Sequence, residues 1–127
     1  MLMLTATVTH EFDDEFDDDY VCTVVTLSMP DCGFEFVPNH VDTENWAGLA
    51  RACRDRTDYC VEYFDHDGIN ITVAGGRVSF ALASCEREYG SMRFELLTEQ
   101  CAAAFAEAAF RTSPEQVAIA KAAAANN

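Results

Sequence analysis

Basic residues are scarce in this sequence, and its first third has none. The 127 residues include 8 Lys or Arg against 22 Asp or Glu, a formal net charge of −14. Residues 1–42 hold ten acids and no Lys or Arg, while residues 43–127 hold twelve acids and eight bases. A chain this acidic is repelled by phosphate backbones and by anionic lipid surfaces. Direct nucleic-acid binding and membrane association are therefore not expected. The partner expected from charge is a protein, either one with a basic surface or further copies of the same chain in a homo-oligomer.

Other absences narrow the chemistry. No apolar run reaches the ~18 residues of a membrane span. The opening Met1-Leu2-Met3-Leu4-Thr5-Ala6 has no basic leader region, so no secretory signal is expected, and a cytoplasmic, reducing compartment is. The six cysteines, at 22, 32, 53, 60, 85 and 101, form no CxxC and no Cys–His pair at zinc-finger spacing. They read as free thiols acting as small hydrophobes, with Cys53 and Cys101 on helix faces and Cys22 and Cys60 in strands. Any disulfide, metal or redox role would concentrate at Cys32 and Cys85, both in expected loops.

There is no GxSxG, HExxH or P-loop, and His10, His40 and His66 all fall beside turns or loops. No catalytic residue, cofactor or metal site is expected, and a thiol- or metal-dependent enzyme is the least supported reading. Asp13, Glu15, Asp17 and Asp19 alternate as calcium ligands can, but the central glycine and closing glutamate of an EF-hand loop are missing. Asp65-His66-Asp67-Gly68 is more simply a hairpin turn.

What the chain does have is alternation. In Ile69-Asn70-Ile71-Thr72-Val73 every second residue is apolar, and so it is through Val78, Phe80 and Leu82 and through Met92, Phe94 and Leu96. Period two is the mark of a strand with one face buried. Asp67-Gly68 and Gly75-Gly76 supply tight-turn residues between these runs. The pattern predicts an antiparallel meander over 59–64, 69–74, 77–83 and 91–97. Further strands are expected at 2–9, at 20–27 (pairing with 2–9 or with 34–37) and at 34–36.

Half the residues are hydrophobic, enough for a single domain spanning 1–127. A helix is expected over 43–56, capped by Asp42 or Thr43, with Trp46, Leu49, Ala50 and Cys53 on one stripe and Trp46 as its anchor. A second, over 98–111, carries Cys101, Ala104, Phe105 and Ala108 on one stripe with Phe110 opposite. Ser113-Pro114-Glu115-Gln116 starts a third. The expected class is α+β: one antiparallel sheet of five to seven strands covered by two helices, plus an alanine-rich C-terminal helix.

Two stretches remain unexplained by folding alone. Residues 11–19 place seven carboxylates in nine positions, too many to pack together, so a solvated loop is expected. Its residues Phe12, Asp13, Asp14, Glu15, Phe16, Asp17, Asp18 and Asp19 form the first candidate contact surface. The last helix has little polar character, and with Phe110 its Val117 and Ile119 form the second. The function expected is a non-catalytic protein–protein interaction module, a subunit of a larger assembly. The alternative is an acidic inhibitor that imitates nucleic acid and blocks a basic nuclease or DNA-binding protein.

Overall fold

The computed structural model describes residues 2–12, 21–38, 41–64, 67–84 and 91–125. Strands β1 (Thr5–Phe12), β2 (Val21–Met29) and β3 (Phe34–Phe36) form one antiparallel sheet in that order. Strands β4 (Tyr59–Phe64), β5 (Asp67–Ala74), β6 (Arg77–Ser84) and β7 (Ser91–Leu97) form a second. Helix α1 (Thr43–Asp55) lies between the sheets in sequence, and α2 (Thr98–Arg111) and α3 (Pro114–Ala125) follow them.

The α+β class and the meander agree with the alternation, but the single continuous sheet does not. The seven strands divide three and four. Within the first sheet, Pro38 explains why the β2–β3 ladder is short. Phe36 is paired with Leu27, and the same register carried two residues further would set Pro38 against Val25. Proline has no N–H to give a ladder. Pairing therefore stops at Phe36, and the chain turns away into α1 before the second sheet begins.

The first strand also lies further along than alternation alone placed it. Thr9 to Phe12 pair with Val24 to Val21, so β1 runs to Phe12 rather than ending at Thr9. Leu4, just before it, is buried, and its N–H donates to the Gln100 carbonyl in α2 at 3.0 Å.

The helix ends follow local chemistry. Asp42 caps α1 by accepting the Asn45 N–H at 2.8 Å, and Arg56 closes that helix in the left-handed region at φ 57°. The Gln100 side-chain oxygen accepts the Leu97 N–H at 2.9 Å at the start of α2. Ser113 accepts the Gln116 N–H at 3.4 Å at the start of α3. Gly75 and Gly76, both at positive φ, make the two-residue turn between the paired Ala74 and Arg77.

The meander has a dry face and a wet one. Val61, Ile71 and Phe80 are buried in one register row, while Cys60, Thr72, Ser79 and Glu95 share a row on the opposite face. The dry face is covered by aromatic contacts that join the layers. Phe80 stacks on Phe94 with centroids 4.7 Å apart, and Phe36 of the other sheet stands edge-on to both at 5.6 and 5.8 Å. Phe105 of α2 lies 6.2 Å from Phe80 and 6.0 Å from Trp46 of α1. Trp46 is fully buried, so it anchors its helix as expected, with α2 as its ring partner. Its Nε1–H has no hydrogen-bond acceptor among the described residues.

Close helix packing needs small residues, and one is a glycine. A Cβ added at Gly48 would clash with the hydroxyl end of the Tyr59 ring, 2.6 Å from its hydroxyl oxygen. That ring is held by a 3.0 Å hydrogen bond from its hydroxyl to the Asn45 side chain. Gly48→Ala would gain ~1 kcal/mol of helix propensity, whereas overpacking a fixed site costs ~1–3 kcal/mol. The expected outcome is net destabilisation of roughly 1 kcal/mol, seen as a lower urea midpoint. An unchanged or higher midpoint would show that Tyr59 moves aside freely.

Candidate functional site

Where β3 stops, a cleft opens. It has a volume of about 270 Å3 and lies between Thr23, Val24 and Val25 of β2 and the lead into α1, formed by Pro38, Val41, Asp42 and Thr43, with Thr112 at the α2–α3 corner. The walls are mixed, with Val24, Val25, Pro38 and Val41 as their apolar part. Its polar groups are three hydroxyls, the Asp42 carboxylate and the backbone of β2. Thr43 donates to the Thr112 hydroxyl at 2.7 Å, and Thr112 donates in turn to the Ala108 carbonyl at 2.7 Å. These bonds tie the start of α1 to the end of α2.

His10 fastens the neighbouring strand to the same corner. Its Nε2 lies 3.0 Å from the Arg111 carbonyl and its Nδ1 lies 2.9 Å from the Thr23 hydroxyl. A carbonyl only accepts, so Nε2 carries a proton, and in the neutral ring Nδ1 accepts from Thr23. The bond closes the far end of β1 onto the C-terminal end of α2, a contact between residues 101 apart in sequence. Nothing in the local sequence around His10 signals it.

The residues singled out from the sequence fall in two places. Phe12 ends β1, partly buried and paired with Val21, while Asp13, Asp14, Glu15, Phe16, Asp17, Asp18 and Asp19 lie outside the described residues. Phe110 is 54% exposed and Ile119 is 61% exposed, while Val117 is partly covered. The Arg111 guanidinium lies 5.7 Å from the Phe110 ring centroid, a cation–π contact that covers part of that ring. No residue of α3 is buried. The helix touches β1 and α2, so the described end of the acidic stretch and the apolar helix sit on neighbouring elements.

The basic cluster at Arg51, Arg54 and Arg56 could close on the acidic stretch or on nearby carboxylates. Arg54 pairs with Asp55 at 3.1 Å and Arg56 with Glu99 at 3.9 Å. The Arg54 hydrogen bond holds the Asp55 carboxyl below its ordinary range. Arg77 lies 3.6 Å from Glu95, and Arg111 lies 2.8 Å from Glu107.

The thiols divide by register. Cys53 and Cys101 are buried, and burial pushes the Cys53 thiol up to about 11 and the Cys101 thiol up to about 12, with Cys53 raising Cys101 further. Neither is a thiolate at neutral pH. Cys60, expected as a small hydrophobe in a strand, is exposed, because pairing with Thr72 puts it on the wet face. There its Sγ lies 3.4 Å from the Thr72 hydroxyl, beside an Asn70 amide that donates to Glu62 at 2.9 Å. Cys22 is half-buried, Cys32 is exposed and Cys85 is outside the described residues. Among the described residues no group of three or more His, Cys, Asp or Glu is placed to hold a metal ion.

A family model described as "Family of unknown function (DUF5766)" matches residues 31–107, and the chain belongs to that family. The match spans β3, α1, the whole four-stranded sheet and most of α2, and stops short of β1, β2 and α3. No curated protein and no solved structure matches the chain.

Two measurements check the thiol assignments. Alkylation of the native protein at pH 8 is expected to label Cys32 and Cys60 well before Cys53 and Cys101, which become reactive on unfolding. Both buried thiols titrate higher folded than unfolded, where the ordinary value is 9.0. The stability they contribute is complete below pH ~9 and is lost as pH rises through ~11–12. The urea midpoint should therefore fall more steeply above pH 9 in the parent protein than in a Cys53→Ala/Cys101→Ala variant.

Proposed function

We propose that this chain is a non-catalytic protein–protein interaction module, a subunit of a larger assembly that holds a basic protein surface or another copy of itself. The observation that carries the reading is α3. Twelve residues long, it has no buried residue. Val117 and Ile119 lie on it, and Phe110 and Ile119 are more than half exposed. A helix that contributes nothing to its own core needs another reason for its apolar side chains. The charge of −14, concentrated towards the N-terminus, supports a partner of opposite sign.

The rival drawn from charge, an inhibitor whose carboxylates stand in for phosphates, needs rows of unpaired acids. Asp55, Glu95, Glu99 and Glu107 are instead each beside an arginine. That observation favours the assembly reading.

Removing residues 113–127 should lower the mass of the native complex in light scattering and release its partner. Phe110→Ser with Ile119→Glu should do the same. Because these side chains are exposed, the double variant is expected to change folding stability by no more than ~0.5 kcal/mol. Unchanged mass and unchanged partner retention in both variants would remove the reading.

A further inference from the structure

The two buried thiols are nucleophilic groups that surface contact leaves unused. Cys53 is 6% exposed and Cys101 is fully buried, and both belong to the same core. Helices α1 and α2 run antiparallel, and three contacts fix their register. Thr43 at the start of α1 bonds to Thr112 at the end of α2, while Arg56 at the end of α1 pairs with Glu99 at the start of α2. Between these points the Trp46 and Phe105 rings meet. Cys53 lies three residues before Arg56, which sets it level with the residues two and three places after Glu99. Of those, Cys101 is fully buried and Ala102 only partly.

The spacing suits a covalent link. Packed helices lie ~8–10 Å apart axis to axis, with Cα atoms ~2.3 Å from each axis. Facing Cα atoms therefore come within about 4–6 Å, which overlaps the ~4.4–6.8 Å that a disulfide spans. Buried Ala52 and Ala104 beside the two thiols let the helices approach closely. Cys53 also acts electrostatically on Cys101, as only a nearby group does.

We propose that Cys53 and Cys101 are an oxidation site, which hydrogen peroxide converts to a disulfide that locks α1 to α2. Cys53 is the more exposed and reacts first. Its thiolate attacks one peroxide oxygen; an S–O bond forms, the O–O bond breaks, and the departing hydroxide takes up the Cys53 proton as water. Cys101 then attacks the Cys53 sulfur. The S–S bond forms, the S–O bond breaks, and hydroxide leaves with the Cys101 proton as a second water. Two thiols lose two electrons and two protons, and one peroxide is reduced to two waters.

Burial makes the site slow in both directions. At neutral pH the Cys53 thiol, pushed up to about 11, holds ~100-fold less thiolate than a thiol at the ordinary 9.0. Once closed, the bond is equally shielded from attack by soluble thiols. The pair is a latch set by sustained oxidant, not a rapid sensor.

The test uses the full chain, reduced and folded, and hydrogen peroxide. After exposure, remaining thiols are blocked in urea and the protein is digested with trypsin. Cleavage after arginine places Cys53 in residues 52–54 and Cys101 in residues 94–111. Those two peptides should appear joined and two hydrogens lighter, as the main link within one chain, forming later than oxidation of the exposed Cys32 and Cys60. The linked protein should melt roughly 10 °C above the reduced one, as closure of a long loop implies. Dithiothreitol should reverse the rise in urea and much more slowly in native buffer. The Cys101→Ala variant should form no such link and show no rise.

Three results would each overturn the proposal: Cys53 carried on to sulfinic acid without a link, a link formed only in urea, or a linked protein that melts no higher than the reduced one. All three are read on the unsubstituted chain, so they hold whether or not the variant folds.

Discussion

The contact on which this fold depends is the aromatic cluster at its centre. Phe80 and Phe94 lie flat on one another across β6 and β7. Phe36 reaches them from the three-stranded sheet, and Phe105 reaches Phe80 from α2 while also meeting Trp46 of α1. Five rings therefore join two sheets and two helices that the backbone connects only in series. Each aromatic pair adds ~0.5–1.5 kcal/mol beyond the burial of its area. Without the cluster, the meander would keep its internal ladder but lose the cover over its dry face.

The second constraint is a missing donor. Pro38 cannot continue the ladder begun by Phe36, so β3 stays short and pairs with β2 only at Leu27, Ser28 and Met29. Asp42 and the lead into α1 stand beyond it, at a distance that leaves a cleft. The same corner is fixed by His10 holding the Arg111 carbonyl and by Thr43 holding Thr112.

Local pattern carried much of this architecture. Period-two alternation located β4 to β7, the stripe of Trp46, Leu49 and Cys53 located α1, and Ser113-Pro114 located the start of α3. Exposure of Phe110 also followed from its position opposite the buried stripe of α2. Cys60 was misjudged, because its place in a strand does not say which face looks outward until the register with Thr72 is known. Nothing local signalled the division into two sheets, and Pro38 signalled only where β3 ends. The meaning of that proline depends on its being two residues past a paired Phe36.

By itself the sequence determined the elements and the charge: where apolar residues recur at two or at about 3.6, where turns are forced, and which end of the chain is acidic. These are short-range properties, written in neighbouring residues. Tertiary structure alone decided which residues from distant segments meet, among them His10 with Arg111, Trp46 with Phe105, and Thr23 with the far wall of a cleft. Such contacts depend on how the layers stack and on which strand stops pairing first. Those outcomes are set by the competition for one shared core, which no local window contains.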